Sequence, residues 1–276
     1  MNRDLPTGTG DLLARVEEGV RVVVLNRPER RNALTLGMLQ ALADVLAVLE
    51  QAPDVGAVLL TGAGPAFCAG GDVKVFAEHG AAGADGAAGV SLEERIADQR
   101  ALQRATTGRL HACAKPTIAA LPGAVAGAGL GLALACDLRV GSAATVFATA
   151  FAKVGLPGDY GSTWLLNRLV GPARARRLLF LGEKLEAATA LEWGLLDWLV
   201  APGDEIDVAQ RRAATLAAGP RQAYLAMKQN LLDAERFGLA EAMDREVPRH
   251  LACRLTDDHQ EAVRAFVEKR KVVFGR

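Results

Sequence analysis

The stretch Gly127-Ala-Gly129-Leu-Gly131 is the first place in this sequence where chemistry could be done by the backbone. It follows an apolar run and a Pro122-Gly123 turn. Glycines in such a place let a bound group, or another segment, come close to main-chain N–H groups. A dinucleotide fingerprint would need G-x-G-x-x-G at the first strand-to-helix turn, with an acidic residue about 20 positions later. Here the spacing is G-x-G-x-G, it falls in mid-chain, and Asp137 comes too early. A nicotinamide cofactor is not expected. Two readings stay open from the residues alone. The glycines could present backbone donors, or they could only let a helix pack tightly on a sheet.

Other chemistries are less well served. Cys68, Cys113, Cys136 and Cys253 are far apart, with no C-x-x-C pair, and the histidines (His79, His111, His250, His259) are scattered. That pattern predicts reduced thiols and no metal site. Lys+Arg and Asp+Glu are 32 each, so there is no basic excess of the kind a nucleic-acid binder carries. Arg174/Arg176/Arg177 and Lys269-Arg270-Lys271 read as solvated faces. The N-terminal residues contain no apolar core of a signal peptide. The segment from Pro116 to Cys136 has no charge and is near the ~20 residues of a membrane span, but two prolines and four glycines interrupt it. It reads as strand, turn and short helix. A cytoplasmic protein without membrane or nucleic-acid partners is expected.

The elements that must position the glycines follow an α/β pattern. Val20–Leu25, Val55–Leu60 and Thr117–Leu121 read as strands, with short ones at Leu138–Val140 and Thr145–Phe147. Thr35 can cap a helix with apolar positions Met38, Leu39, Leu42, Val45, Leu46 and Leu49. A small-residue helix is expected at Gly127–Ala135, and another helix near Ser91 after the Gly/Ala-rich segment 78–90. Past Val200 the strand signals stop. Ala201–Asp204 reads as a linker, and residues 206–271 as three helices broken at Gly219-Pro220 and near Gly238, the last starting from Thr256. We therefore divide the chain into an α/β core, 1–203, and a helical region, 204–276.

Four stretches taken together resemble the crotonase (enoyl-CoA hydratase/isomerase) superfamily. They are Leu25-Asn-Arg-Pro-Glu-Arg-Arg-Asn-Ala-Leu34, Phe67-Cys-Ala-Gly-Gly-Asp-Val73, Lys115-Pro-Thr-Ile-Ala-Ala-Leu-Pro-Gly through Asp137, and Ala265-Phe-Val-Glu-Lys-Arg270. They occur in that family's order from about residue 20 to the end. The resemblance implies a crotonase-like spiral of repeated ββα units, followed by a helical region that forms trimers, often paired as hexamers. It implies an acyl-CoA thioester as ligand, with coenzyme A part of the substrate and no separate cofactor. The oxyanion donors it implies are the N–H groups of Gly71 and Ala128. Many members have glycine where Ala128 stands, but alanine supplies the same donor. Arg31, Ala33, Ala69, Gly127, Phe266 and Lys269 match positions that contact substrate or CoA. Lys269 reads either as reaching a neighbouring subunit's nucleotide or as a solvated helix end.

The acid/base residue is where this chain departs from the family's hydratases. Their two glutamates align with Gly131 and Phe151, neither of which can move a proton. Asp159, in Gly155-Leu-Pro-Gly-Asp-Tyr-Gly161, resembles the acid/base aspartate of the 1,2-epoxyphenylacetyl-CoA isomerase branch. Related 4-chlorobenzoyl-CoA dehalogenases carry a nucleophilic aspartate there. On the residues alone, Asp159 could equally cap a helix starting near Gly161. As an acid/base it would need a pKa raised by an apolar pocket, for which Phe147, Phe151, Leu156 and Trp164 are candidate walls. Asp72 reads as fixing its turn, and Glu78, Glu93 or Glu94 as a possible assistant. The resulting expectation is an enoyl-CoA isomerase. Hydratase, Asp-nucleophile dehalogenase or thioester hydrolase, and non-catalytic CoA-binding protein are the alternatives.

Overall fold

The computed structural model describes residues 3–49, 51–72 and 90–275. Three N-terminal strands, β1 (Arg3–Leu5), β2 (Leu12–Glu17) and β3 (Val20–Leu25), form an antiparallel meander. They open a seven-stranded sheet in the order β1-β2-β3-β4-β6-β8-β11. From β3 onward it is parallel through β4 (Ala57–Gly62), β6 (Thr117–Leu121), β8 (Leu138–Ser142) and β11 (Trp198–Val200). A second sheet of four runs β10 (Lys184–Glu186), β9 (Val146–Ala148), β7 (Ala124–Ala126), β5 (Ala66–Cys68).

The two sheets are wound by one repeated step. A strand of the large sheet turns into a short strand of the small one, and a helix follows. The steps are β4-β5 then α2 (Leu92–Gln103), β6-β7 then α3 (Ala128–Ala135), and β8-β9 then α4 (Ser162–Leu181). This is the spiral of ββα units that the resemblance implies. β5 and β7 were not separable in the sequence, because each is only three residues of Ala, Val, Phe or Cys beside Pro-Gly turns.

The main core lies between the sheets and α1 (Leu36–Ala47). Thr35 caps α1 as its sequence predicts, its hydroxyl accepting from Met38 N at 3.1 Å. Met38, Leu42, Leu46 and Leu49 are all fully buried. On the opposite face of the large sheet, α6 (Glu205–Ala217) lays Ala209, Ala213 and Ala217 on Val20, Val22, Leu59 and Ile118. Between α4 and α6 lies the short α5 (Ala187–Glu192).

The region after Val200 holds four helices rather than the expected three: α6, α7 (Arg221–Ala234), α8 (Leu239–Arg254) and α9 (Asp257–Val267). The additional helix is α8, between Gly238 and Leu255; α9 starts from Thr256 as expected, the Thr256 hydroxyl accepting from His259 N at 3.2 Å. The uncharged segment 116–136 forms β6, β7 and α3, and among the described residues no helix is long and apolar enough to cross a membrane.

Candidate active site

Two loops are locked together first. Asn32 is fully buried, and its side chain serves three main-chain groups. Its Nδ2 donates to Ala63 O at 2.9 Å and Ala66 O at 2.7 Å, and its Oδ1 accepts from Arg27 N at 2.8 Å. Its φ of 55° is left-handed, a conformation that Asn adopts more readily than most residues. Arg27 then reaches across, donating to Ala33 O at 2.7 Å and to Asp72 Oδ2 at 3.2 Å. Ala69 N donates to Arg31 O at 2.9 Å, and Leu34 N to Gly70 O at 2.8 Å. Leu34 and Gly71 thus form a parallel bridge. In that pairing Gly70 supplies the carbonyl, so Gly71's own N–H lies on the other edge of the strand, away from Leu34.

The segment Ala126–Ala128 comes against Gly70. Gly127 has φ 53° and ψ −129°, a backbone state that suits only glycine, and its N–H donates to Ala148 O at 3.2 Å. α3 begins at Ala128, whose N–H is in the first turn and has no intrahelical acceptor. The two loops touch main chain to main chain. A Cβ placed on Gly70 would be 3.1 Å from Ala126 O and 3.4 Å from Gly127 Cα. Two positions into α3, a Cβ on Gly129 would lie 2.5 Å from Cys68 Cβ, so only glycine lets the helix sit on β5.

Position 131 has no room for a side chain. A Cβ there would stand 2.3 Å from Tyr160 O and 2.9 Å from Tyr160 Cβ. The space a side chain at 131 would need is filled by the backbone of the turn that carries Asp159. Gly129 and Gly131 are two residues apart on a helix, hence on nearly opposite faces. α3 is therefore gripped between β5 and the Asp159 turn.

Asp159 is not a helix cap. The residue before α4 is Gly161, and no side chain caps that helix. It is the Asp159 main-chain carbonyl that accepts, from Ser162 N at 3.0 Å and Ser162 Oγ at 2.8 Å. The carboxylate Oδ1 is buried and has no hydrogen-bond partner among the described residues. Burial pushes the carboxyl from its ordinary value near 3.8 up to about 6. The turn is bent by left-handed residues on both sides: Gly158 (φ 122°), Tyr160 (φ 46°) and Gly161 (φ 69°).

The remaining expected residues divide. Phe151 is buried beside this turn, its ring 4.0 Å from where a Cβ on Gly158 would lie. Phe151 and Leu156 border a cavity of about 740 Å³, whereas Tyr160 borders a different one of about 320 Å³ with Gln103 and Thr107; Trp164 borders both. Leu156 is 49% exposed and gives Asp159 little shelter, and Phe147 sits inside the main core. Ala33 is buried by the first loop. Phe266, at the end of α9, is 86% exposed and so lies against little of its own chain; Lys269 follows it at φ 55°. Glu94 is consumed by the α2 capping box with Ser91, its Oε2 accepting from Ser91 N at 2.7 Å. Glu93 is exposed, and Glu78 lies outside the described residues. Among the described residues no His/Cys/Asp/Glu cluster could hold a metal. Sequence reasoning missed Tyr160, Gln103 and the Asn32 clamp. A tyrosine between Asp159 and Gly161 carries no chemical signature, although its φ of 46° is part of the turn that bears the aspartate.

Residues 15–276 match the family model described as enoyl-CoA hydratase/isomerase. A 1,2-epoxyphenylacetyl-CoA isomerase from Escherichia coli is 37% identical over 264 residues, covering 95% of this chain and 97% of that protein. A probable enoyl-CoA hydratase from Mycobacterium tuberculosis is 39% identical over 243 residues, covering 84% of this chain and 89% of that protein. A crystal structure of a putative enoyl-CoA hydratase from Streptomyces coelicolor superposes with a TM-score of 0.89 at 35% identity, covering 98% of this chain and 96% of that one.

Two outcomes follow from this geometry. Gly131→Ala should displace the Asp159 turn, destabilising the fold by roughly 1–3 kcal/mol as overpacking does, and Gly131→Glu should do no better. Chemical denaturation of both variants checks this, and a native-like midpoint would contradict it. The second outcome depends on pH. A carboxyl whose folded pKa is raised binds its proton more tightly when folded. Asp159 therefore costs no stability below its unfolded value near 3.8, and the cost grows as pH rises toward about 6 and is complete above it. Asp159→Asn should stabilise the protein at pH 8, by on the order of 1–2 kcal/mol after solvent screening, and not at pH 3.5. Melting curves at the two pH values measure the difference.

Proposed function

The chain belongs to the enoyl-CoA hydratase/isomerase family, and we propose that within it the chain is an acyl-CoA double-bond isomerase with Asp159 as the acid/base. The observation that carries this reading is the filling of the Gly131 position by the Tyr160 backbone. A side chain at 131 has no room, the resemblance puts the second glutamate position at Phe151, and the turn packed on α3 carries Asp159, whose Oδ1 is buried and unpartnered among the described residues.

In this reading the thioester oxygen of an acyl-CoA accepts hydrogen bonds from the N–H groups of Gly71 and Ala128. The ionised Asp159 removes a proton from the α or γ carbon. The electron pair moves onto the carbonyl oxygen, where the two fixed donors and the start of α3 stabilise it; one such donor is typically worth about 2.7–4 kcal/mol. Protonated Asp159 then returns the proton to the other carbon, the enolate collapses, and the double bond has moved. Nothing is oxidised or reduced, and coenzyme A takes part only as a portion of the substrate. A carboxyl with pKa near 6 suits both halves, because it is a usable base at neutral pH and still a competent acid. Arg31 and Ala33 on one of the two locked loops and Ala69 on the other would receive the CoA moiety.

The helical region 204–276 is assigned to assembly into a trimer or a dimer of trimers. Leu231, Val247, Leu255 and Phe266 are each more than half exposed, which leaves an apolar surface for a second copy to cover. Phe266 and Lys269 would then face a neighbour's CoA.

Asp159→Asn should lower isomerisation of a 3-enoyl-CoA by about 10²–10⁴-fold, the usual contribution of a general base, with acyl-CoA affinity nearly unchanged. In the native enzyme kcat/KM should rise with pH through about 6 and then level, since the free enzyme must be ionised. Solvent deuterium should enter the α or γ carbon, far more slowly in the variant. Hydration of a 2-enoyl-CoA without isomerisation would replace this reading with a hydratase using Asp159. Light scattering should give three or six times 29.0 kDa, and a monomer at micromolar concentration would contradict the assembly.

A further inference from the structure

We infer that Gln103 is a positioning residue for the acid/base, its side-chain amide oxygen holding the Tyr160 N–H and so fixing the orientation of the peptide that joins Asp159 to Tyr160. The inference rests on the reading of Asp159 given above and adds a residue to it.

The peptide between Asp159 and Tyr160 has two polar groups, and they are held from two sides. Its carbonyl accepts from Ser162, three residues on. Its N–H donates to Gln103 Oε1 at 3.2 Å, across 57 positions of sequence. The first contact is local and would move with the turn. The second is anchored in a different helix. Tyr160 is buried, so its N–H cannot turn to water instead.

That anchor opposes a specific relaxation. Tyr160 has φ 46°, uncommon for a bulky residue. Rotating the Asp159–Tyr160 peptide plane would return Tyr160 to ordinary negative φ. The same rotation changes ψ of Asp159 and re-aims its carboxylate. Gln103 holds the N–H end of the plane against that rotation, while Gly131 leaves room for Tyr160 O where it now lies.

The main chain presents Gln103 for this purpose. α2 ends at Gln103 and widens into a π turn over Arg104–Gly108. Such turns inside helices are frequent at functional sites. Thr106 Oγ1 donates to Leu102 O at 2.7 Å within the widened stretch. Thr107 reaches the same turn, its methyl 3.7 Å from where a Cβ on Gly161 would lie. Gln103 is only half-buried, so an apolar replacement of similar length leaves no large void. The ionisable groups around the cavity shared by Gln103 and Tyr160 are Arg100, Arg104 and His111, the last paired to Glu235 at 3.1 Å, and Gln103→Met changes none of them.

The test compares Gln103→Met, which removes the acceptor, with Gln103→Glu, which keeps an acceptor oxygen at the same reach. In Gln103→Met we expect kcat for 3-enoyl-CoA isomerisation to fall about 10- to 100-fold with KM unchanged, the scale of an ångström-sized misplacement. Tyr160 amide hydrogen exchange should become at least ~10-fold faster while the melting temperature stays near native. Gln103→Glu should restore most of the plateau kcat and the slow exchange, with the acid limb of its pH profile moved upward by the added negative charge. Unchanged exchange or unchanged kcat in Gln103→Met overturns the inference. An equal loss in both variants overturns it too, because the acceptor oxygen would then be irrelevant. Asp159→Asn run in parallel separates the two readings. If it alone loses turnover, Asp159 stands and Gln103 does not; if it keeps native turnover, the base assignment falls and Gln103's role falls with it.

Discussion

The close approach of two chain segments, one at residues 68–70 and one at Tyr160, to one short helix is the constraint on which the rest of this structure depends. α3 is eight residues long and every one of them is buried. Gly127 meets Gly70, Gly129 meets Cys68, and Gly131 meets Tyr160, each at a distance that a side-chain carbon would disturb. The loop at Gly70–Gly71 and the start of α3 come this close because Gly70 and Gly127 carry no side chains to hold them apart. Asp159 reaches the vicinity of α3 only because Gly131 leaves room for its turn. Removing side chains thus brings the donor loop and the carboxylate-bearing turn onto opposite faces of one helix.

An arrangement made of backbone needs support from outside it, and the first loop supplies it. Asn32 satisfies three main-chain groups from a fully buried position, where leaving any one unpaired costs about 1–3 kcal/mol. Arg27 ties that loop to Asp72, immediately after the Gly71 donor. Cys68 joins the same network. Its thiol donates to Asn32 O at 3.1 Å and accepts from Gly70 N at 3.4 Å, and burial pushes its pKa up to about 12. It is a neutral packing group and not a nucleophile at physiological pH. The asparagine, arginine and cysteine in these signatures therefore act through geometry; the proposed function leaves proton transfer to Asp159.

The fold was legible in the sequence wherever periodicity or turn chemistry was strong. β3 and the α1 stripe capped by Thr35 follow from β-branched runs and i, i+3/4 spacing, and those patterns survive in the structure because β3 is buried on both faces, between the main core and α6, and α1 buries its apolar stripe. The three-residue strands β5 and β7 were not legible, since three small residues have no period to read. The site was legible in its types and not in its causes. Glycines at 127, 129 and 131 signal close approach, but what approaches each comes from positions 57 and 29 residues away for Gly70 and Tyr160, and the sequence does not say which. The same limit hid Gln103. A glutamine at the end of a polar, exposed helix looks like surface until a helix widening turns it toward Tyr160.

The Asp159 turn also shows stability and chemistry in opposition. A buried carboxylate oxygen without a partner, flanked by a tyrosine in the left-handed region, is unfavourable on both electrostatic and backbone grounds. Satisfying that oxygen with a donor would stabilise the charge, bring the pKa back toward the ordinary carboxylate range, and weaken the group as a base. Moving the turn away from α3 would relieve Tyr160 and carry the carboxylate off. Each route to a more stable turn removes a property that proton transfer needs. The rest of the fold offsets this local cost through the dry packing of α3 between the sheets and through two polar anchors, Ser162 and Gln103, that bind the peptide and leave the carboxylate unbonded. Both anchors bind the peptide and neither donates to the charge, which is the condition the proposed function sets for a group that must exchange a proton with a substrate.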